Sequence, residues 1–184
     1  MKPVINKLAK KIFDHNVKAG WWDNMDRCLF QTLQLVSTEL AEATEGERKN
    51  LMDDKLPHRK MGEVELADAM IRLLDLAGRY DWKYSANVGT GLTDYLAHYS
   101  KSGAASMHFC LTIQLARLGM NAHQFGVNNV TVKIAYCTLV DMIDRCADYL
   151  GYNLWTALDE KFEFNKTRKD HTREAQAAAG GKKI

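Results

Sequence analysis

Two pairs of acidic residues are the feature of this sequence best suited to chemistry. Glu39 and Glu42 are three positions apart, and Glu65 and Asp68 repeat that spacing further along the chain. Residues three or four positions apart lie on one face of an α-helix. Two antiparallel helices would therefore bring four carboxylates together, and their mutual repulsion requires a compensating cation. Because every ligand is an oxygen atom, the sequence predicts Mg²⁺, or alternatively Mn²⁺, at this site.

The competing interpretation is a solvated acidic surface, which is the usual role of such pairs. The residues around the pairs argue against it. Glu39 lies between Leu35 and Ala43 at spacings of four, which places it at the edge of an apolar stripe. Asp68 begins a polar line that has apolar residues on both sides. A helix that is apolar on both sides of a polar line is predicted to be buried around it.

Other chemistries are disfavoured by the same inspection. Carboxylate-bridged di-iron bundles require Glu-x-x-His, and none of the 6 histidines stands three positions after a glutamate. A phosphate-binding loop motif is missing, and Gly89-Thr90-Gly91 is interpreted as a flexible linker. The net charge of +2, with only a mildly basic end, gives no support for a nucleic-acid partner.

The remaining bulk properties predict a cytoplasmic protein. The sequence shows neither a signal peptide nor an apolar run of membrane-spanning length, so we expect no membrane partner. The cysteines form no Cys-x-x-Cys pair, and we expect buried free thiols in a reducing compartment. They are Cys28, Cys110, Cys137 and Cys146.

An apolar period near 3.6 along most of the chain predicts an all-α helical bundle. No useful segment alternates apolar and polar residues, so strands are not expected. We expect residues 46–57 to form a loop or a frayed helix end. The predicted helices cover about 3–18, a segment starting near Asn24 or Asp26, and about 60–80, 104–120, 130–150 and 154–164.

A gapless alignment of Glu65–Trp82 with Thr138–Trp155 pairs identical residues that include a glycine and a tryptophan, which predicts two fused helical repeats. In the second copy only Asp141 persists among the four acidic positions, so this copy is degenerate and is not expected to bind metal. The predicted organisation is a helical half carrying the metal site at 1–86, a linker at 87–106 with a short helical stretch near Asp94–His98, a degenerate second half at 107–171 and a mobile tail at 172–184.

The arrangement Glu-x-x-Glu followed by Glu-x-x-Asp resembles the signature of the all-α nucleotide pyrophosphohydrolases, which include MazG and the dimeric dUTPases. The chain is most similar to small MazG-like proteins of bacteria and phages. The stretches that carry the resemblance are His15-Asn16 with Gly20-Trp21-Trp22, Ser37–Ala43, Val64–Asp68, Ile71–Gly78 and Glu160–Arg168. Two departures are Thr38, where many relatives carry an acid, and the degenerate copy that precedes the last stretch.

The resemblance implies that the four acids are the metal-binding and catalytic residues. It also implies that the second half contributes a nucleotide-holding segment. The expected substrate-binding residues are Lys161, Asn165, Arg168, Arg72, Gln34 and Trp22. Trp21 and Trp22 either stack on a base or pack in the core, and at least one of them is expected in the core.

The expected reaction is Mg²⁺-dependent hydrolysis of (deoxy)nucleoside triphosphates to a monophosphate and pyrophosphate. It would take place in the cytoplasm, which is the host cytoplasm if a phage encodes the chain. The partner is a nucleotide substrate, and both a homodimer and a pseudo-dimeric monomer agree with the repeat. Two alternatives are a nucleotide-binding or sensing protein that has lost turnover, and a structural helical module.

Overall fold

A computed structural model of the protein describes residues 4–86 and 91–177, and within these ranges it contains helices and no strand. The all-α prediction is therefore confirmed. Met52 and Lys60 form an isolated β-bridge in the loop after the second helix. The elements are α1 (Ile5–Lys18), α2 (Leu29–Lys49), α3 (Met61–Tyr80), α4 (Gly91–Ser100), α5 (Ala104–Phe125), α6 (Val130–Tyr149), α7 (Leu154–Thr167), the 3₁₀ turn Lys169–His171 and α8 (Arg173–Ala177).

The second helix differs most from its predicted bounds. It begins at Leu29, later than expected, because the side chain of Asn24 accepts a hydrogen bond from the backbone of Asp26 and holds a local turn. It also continues past Gly46, the first residue of the segment predicted to be a loop or a frayed helix end. A Cβ at Gly46 would lie 2.8 Å from the Cβ of Met61, so glycine permits the close packing of α2 on α3.

The third helix is the centre of the fold. It packs against α1, α2, α6 and α7, and most of its residues are buried. Its apolar residues, such as Leu66, Met70 and Leu74, are fully enclosed. Asp75 is buried among them at 7% exposure. The prediction of a buried helix with an internal polar line agrees with this packing.

The second half forms its own helical hairpin, α5 with α6, and α2 packs against α5. Buried residues of both halves belong to one continuous apolar core. Helix α4 lies in the range predicted to be a linker and packs on α5 and α6 through the buried Leu96, while 87–90 lie outside the described residues. Within the predicted tail, 172–177 are described and include α8, and 178–184 are not described.

The aligned residues of the proposed repeat occupy different structural positions. Gly78 lies inside α3, whereas Gly151 follows α6 with a positive φ of 74°. Trp82 is buried and donates to the carbonyl of Val127 at 2.9 Å, whereas Trp155 is the second residue of α7. The gapless alignment therefore does not coincide with the boundaries of the helices.

Two further observations concern the cysteines and the membrane. Cys110, Cys137 and Cys146 are buried free thiols, but Cys28 is exposed, contrary to prediction, because it lies just outside the first turn of α2. None of the helices in the described ranges is long and apolar enough to cross a bilayer.

Helix α1 approaches α3 closely at Gly78. A Cβ at this position would overlap the side chain of Phe13 and lie 2.9 Å from the carbonyl oxygen of Ala9. We expect Gly78→Ala to lower the free energy of unfolding by about 2 kcal/mol, because overpacking outweighs the better helix propensity of alanine. Urea unfolding measures this effect. In the control Gly119→Ala the new Cβ meets only flexible side-chain ends, at 3.2 Å or more, and a loss as large as that of Gly78→Ala would contradict the explanation.

Candidate active site

Three carboxylates meet where α2 packs on α3. One oxygen each of Glu39, Glu42 and Glu65 lies within 4.8 Å of the others. Glu39 and Glu65 are buried, whereas Glu42 is exposed, so the cluster is open on one side. The i, i+3 spacing on α2 and the close contact of the two helices produce this convergence.

The electrostatics of the cluster show an excess of negative charge. Burial, the charge of Asp68 and a hydrogen bond with Glu39 raise the pKa of Glu65 to about 9. Burial and the charge of Glu39 also raise the pKa of Glu42. Arg72 Nε donates a hydrogen bond to Glu39 and supplies part of the compensation. The possible ligand atoms are all oxygens, and nearby cations balance only part of their negative charge. These residues therefore fit a hard divalent cation.

Asp68, the fourth predicted ligand, lies beside the cluster and not within it. Its carboxylate forms an ion pair with Lys161 at 3.1 Å, and the two side chains are only 17% and 3% exposed respectively. Asn165 Nδ2 donates to Asp68 at 3.4 Å. Burial raises the pKa of Asp68 and the charge of Lys161 opposes that shift. The structure thus brings three predicted ligands together and holds the fourth through α7.

Lys161 is a buried cation next to the acids. Burial lowers its pKa, but the charges of Asp68, Glu65 and Asp53 outweigh this effect, and the net shift is upward. The ammonium group therefore stays protonated, and it is positioned to balance acidic groups or phosphate oxygens near Asp68.

A pocket of about 350 Å³ adjoins Asp68. Its volume is within the range of small-molecule sites. Four residues predicted from the sequence line it, namely Asp68, Arg72, Asn165 and Arg168. The other lining residues are His15, Asn16, Trp21, Arg27, Thr32, Leu35, Ile71, Asp75, Phe162 and His171.

Three residues of the predicted substrate-binding set lie outside the pocket lining, namely Gln34, Trp22 and Lys161, the last of which pairs with Asp68. Gln34 is an exposed residue of α2 outside the pocket lining. Trp22 is buried at 3% exposure, and its Nε1 donates to both carboxylate oxygens of Asp75 at 3.0 Å. Trp21 lines the pocket instead and makes an edge contact with His171 at 5.3 Å between ring centroids. Core packing is therefore the role of Trp22.

Asp75 and Arg27 line the pocket but are not among the binding residues predicted from the sequence. Asp75 stands on the same face of α3 as Asp68 and Arg72, and this spacing was the signal available for it. Arg27 lies between α1 and α2, where no periodic pattern indicates which side chain turns inward. Burial raises the pKa of Asp75 to about 6, against the opposing effects of Trp22 and Asn16.

Two pocket residues retain capacity for a ligand. The Oδ1 atom of Asn165 is buried, and no hydrogen-bond partner for it occurs among the described residues. Arg168 forms a two-pronged pair with Asp170 at 3.0 and 2.7 Å, which shows its guanidinium in the geometry that also suits a phosphate group.

No protein-family model matches the chain, and no curated protein or solved structure matches it either. The functional conclusion therefore depends on the geometry of the site.

Binding of a divalent cation should depend strongly on pH. With a pKa of about 9, Glu65 carries a proton at pH 7, and this proton must leave before the carboxylate can bind a metal. We expect Mn²⁺ affinity to rise about tenfold per pH unit between pH 6 and pH 8, with release of about one proton per ion. Calorimetry in two buffers of different ionisation enthalpy measures the release. Binding without proton release would contradict the raised pKa.

Proposed function

We propose that the protein is a Mg²⁺-dependent nucleoside triphosphate pyrophosphohydrolase, which converts (deoxy)nucleoside triphosphates to monophosphate and pyrophosphate in the cytoplasm. The observation that carries the proposal is that Asp68, which lies beside the acidic cluster, also lines a pocket with basic and aromatic walls. The acidic and basic residues suit a metal-bound triphosphate, and the aromatic residues suit a nucleoside.

The cation would be held by Glu39, Glu42 and Glu65, with Asp68 beside them. When bound, it neutralises phosphate charge and lowers the pKa of a coordinated water. Glu42 is the exposed member of the cluster and is therefore the carboxylate that an attacking water reaches from solvent. Its raised pKa makes it a better proton acceptor than an ordinary glutamate.

The cationic residues would act on the phosphate chain. Lys161 is adjacent to Asp68, and Arg168 and Arg72 both line the pocket. Charge that builds on the departing pyrophosphate is stabilised by such fixed cations. The unpartnered Oδ1 of Asn165 can accept a hydrogen bond from a hydroxyl group of the ligand.

A nucleotide-binding protein without turnover is the second candidate. It is favoured by the ion pairs of two of the three pocket arginines, Arg72 with Glu39 and Arg168 with Asp170, which a substrate would have to replace. A purely structural module is disfavoured, because buried, like-charged carboxylates cost stability without contributing to packing.

The decisive experiment is pyrophosphate release from a panel of NTPs and dNTPs with Mg²⁺. Wild type is compared with Glu42→Gln, Asp68→Asn and the control Glu45→Gln, which removes one acidic charge from the same helix outside the cluster. We expect turnover in wild type and control, and losses of about 100-fold or more in the two site variants. Nucleotide binding without turnover would support the second candidate, and orthophosphate as sole product would exclude pyrophosphohydrolysis.

A further inference from the structure

The pocket extends along α3 away from the acidic cluster. Asp68, Arg72 and Asp75 all line it, at positions i, i+4 and i+7 of the helix. Two helical turns separate Asp68 from Asp75, which is about 10 Å along the axis. This separation is comparable to the length of a nucleoside, so a nucleotide with its phosphates at Asp68 would place its base near Asp75.

The side chain of Asp75 is held in a fixed orientation. Both of its oxygens accept from the single Nε1–H of Trp22, at 3.0 Å each, and Asn16 adds a side-chain hydrogen bond. A carboxylate has about four acceptor positions. Because Asp75 is only 7% exposed and lines the pocket, its remaining acceptor positions are available to a ligand and poorly served by solvent.

A donor stands at the same end of the pocket. Arg27 stacks its guanidinium over the ring of Trp22, at 4.7 Å from the centroid, and donates to the carbonyl of Trp21 at 2.6 Å. A guanidinium has five N–H groups, so donors remain for a ligand. Leu35, Ile71 and Phe162 contribute apolar walls that suit a flat ring.

We propose that Asp75 recognises the base and that the pocket selects guanine nucleotides. Trp22 Nε1–H occupies the edge between the two oxygens of Asp75. Guanine N1–H and N2–H are adjacent donors that would approach an outer acceptor position of this carboxylate, and guanine O6 can accept from Arg27. This inference rests on the proposed function, because it takes the end of the pocket at Asp68 as the end that binds the phosphates.

The other bases match Asp75 less well. Thymine and uracil present one N–H between two carbonyl oxygens, and those oxygens would be repelled by the carboxylate. Adenine and cytosine present one amino group beside a ring nitrogen whose lone pair would face the carboxylate. A site built to receive hydrogen bonds discriminates strongly against ligands that cannot supply them.

The test measures binding of α,β-imido analogues of dGTP, dITP, dCTP and dTTP by calorimetry with Mg²⁺. We expect the guanine analogue to bind on the order of 100-fold more tightly than the thymine analogue. Hypoxanthine lacks the N2 amino group, so its affinity should be intermediate. In Asp75→Asn the guanine preference over thymine should fall at least about tenfold. The control Asp14→Asn changes an exposed acid of α1 and should leave that ratio unchanged.

The outcomes separate this inference from the proposed function. Equal affinity for all four analogues, or a preference for cytosine, overturns the role of Asp75 as guanine reader and leaves the hydrolase intact. Failure to bind any nucleotide overturns both. If Asp75→Asn does not fold, the comparison of the guanine and hypoxanthine analogues in wild type still tests the proposal. Equal affinities would show that no acceptor in the pocket binds the N2 amino group.

Discussion

Glu65→Gln should abolish Mg²⁺-dependent turnover, by on the order of 10³-fold, while leaving the metal-free protein as stable as wild type. The two effects have one cause. The pKa of Glu65 is about 9, so at pH 7 this side chain is a neutral acid in the absence of metal. Glutamine is neutral and has nearly the same shape, so the substitution should change the free energy of unfolding of the metal-free protein very little. It cannot become the anionic ligand that a divalent cation requires.

Calorimetric unfolding with and without Mg²⁺ checks the prediction alongside the pyrophosphate assay. The Tm of wild type should rise when the cation binds, whereas the Tm of Glu65→Gln should not change. Glu45→Gln, outside the cluster, should behave like wild type in both measurements. Retained turnover in Glu65→Gln would remove this residue from the site. A metal-free Tm more than about 4 °C below wild type would show that Glu65 is ionised before metal binds.

The acidic cluster could be predicted from the sequence because helix geometry is local. Spacing of three places Glu39 and Glu42 on one face whatever the rest of the chain does. The apolar residues around Asp68 and Asp75 likewise indicate that α3 is enclosed, since no one-sided amphipathic helix carries apolar residues on both sides of a polar line. The position of Glu65 beside Glu39 and Glu42 then follows if the two helices pack antiparallel.

The remaining geometry depends on long-range packing and was not available from periodicity. Asp68 pairs with Lys161, 93 residues away, only because α7 docks on α3. Trp21 and Trp22 are consecutive residues, and which one faces the pocket is set by the turn at Gly20, whose φ is 92°. The segment 87–106 is predicted to be a linker around a short helical stretch, because it is rich in glycine, serine and threonine; the packing of that helix against the second hairpin through Leu96 is not visible from composition.

Lys161→Met should lower the free energy of unfolding by about 3–5 kcal/mol at pH 7. The Lys161 side chain is 3% exposed, and its partner Asp68 is 17% exposed. Removing the cation leaves the carboxylate buried beside Glu65 with only weak compensation. The double variant Lys161→Met/Asp68→Leu removes both charges and should regain most of the loss, although it should not regain turnover. Urea unfolding of the four proteins in this cycle gives the coupling between the two side chains.

The pH dependence of Lys161→Met distinguishes a lost ion pair from lost packing. The pKa of Asp68 is already raised by burial, and Lys161 is the largest influence that opposes the shift. Without Lys161 the folded-state pKa rises further above the unfolded value, so folding favours the protonated acid. The loss in free energy of unfolding relative to wild type should therefore be small below the unfolded pKa of aspartate, about 4, and should grow as pH rises. A deficit that is constant from pH 4 to pH 8 would indicate a packing defect. Mg²⁺ should restore part of the stability at pH 8, because a cation at the neighbouring cluster replaces some of the positive charge that Lys161 provided.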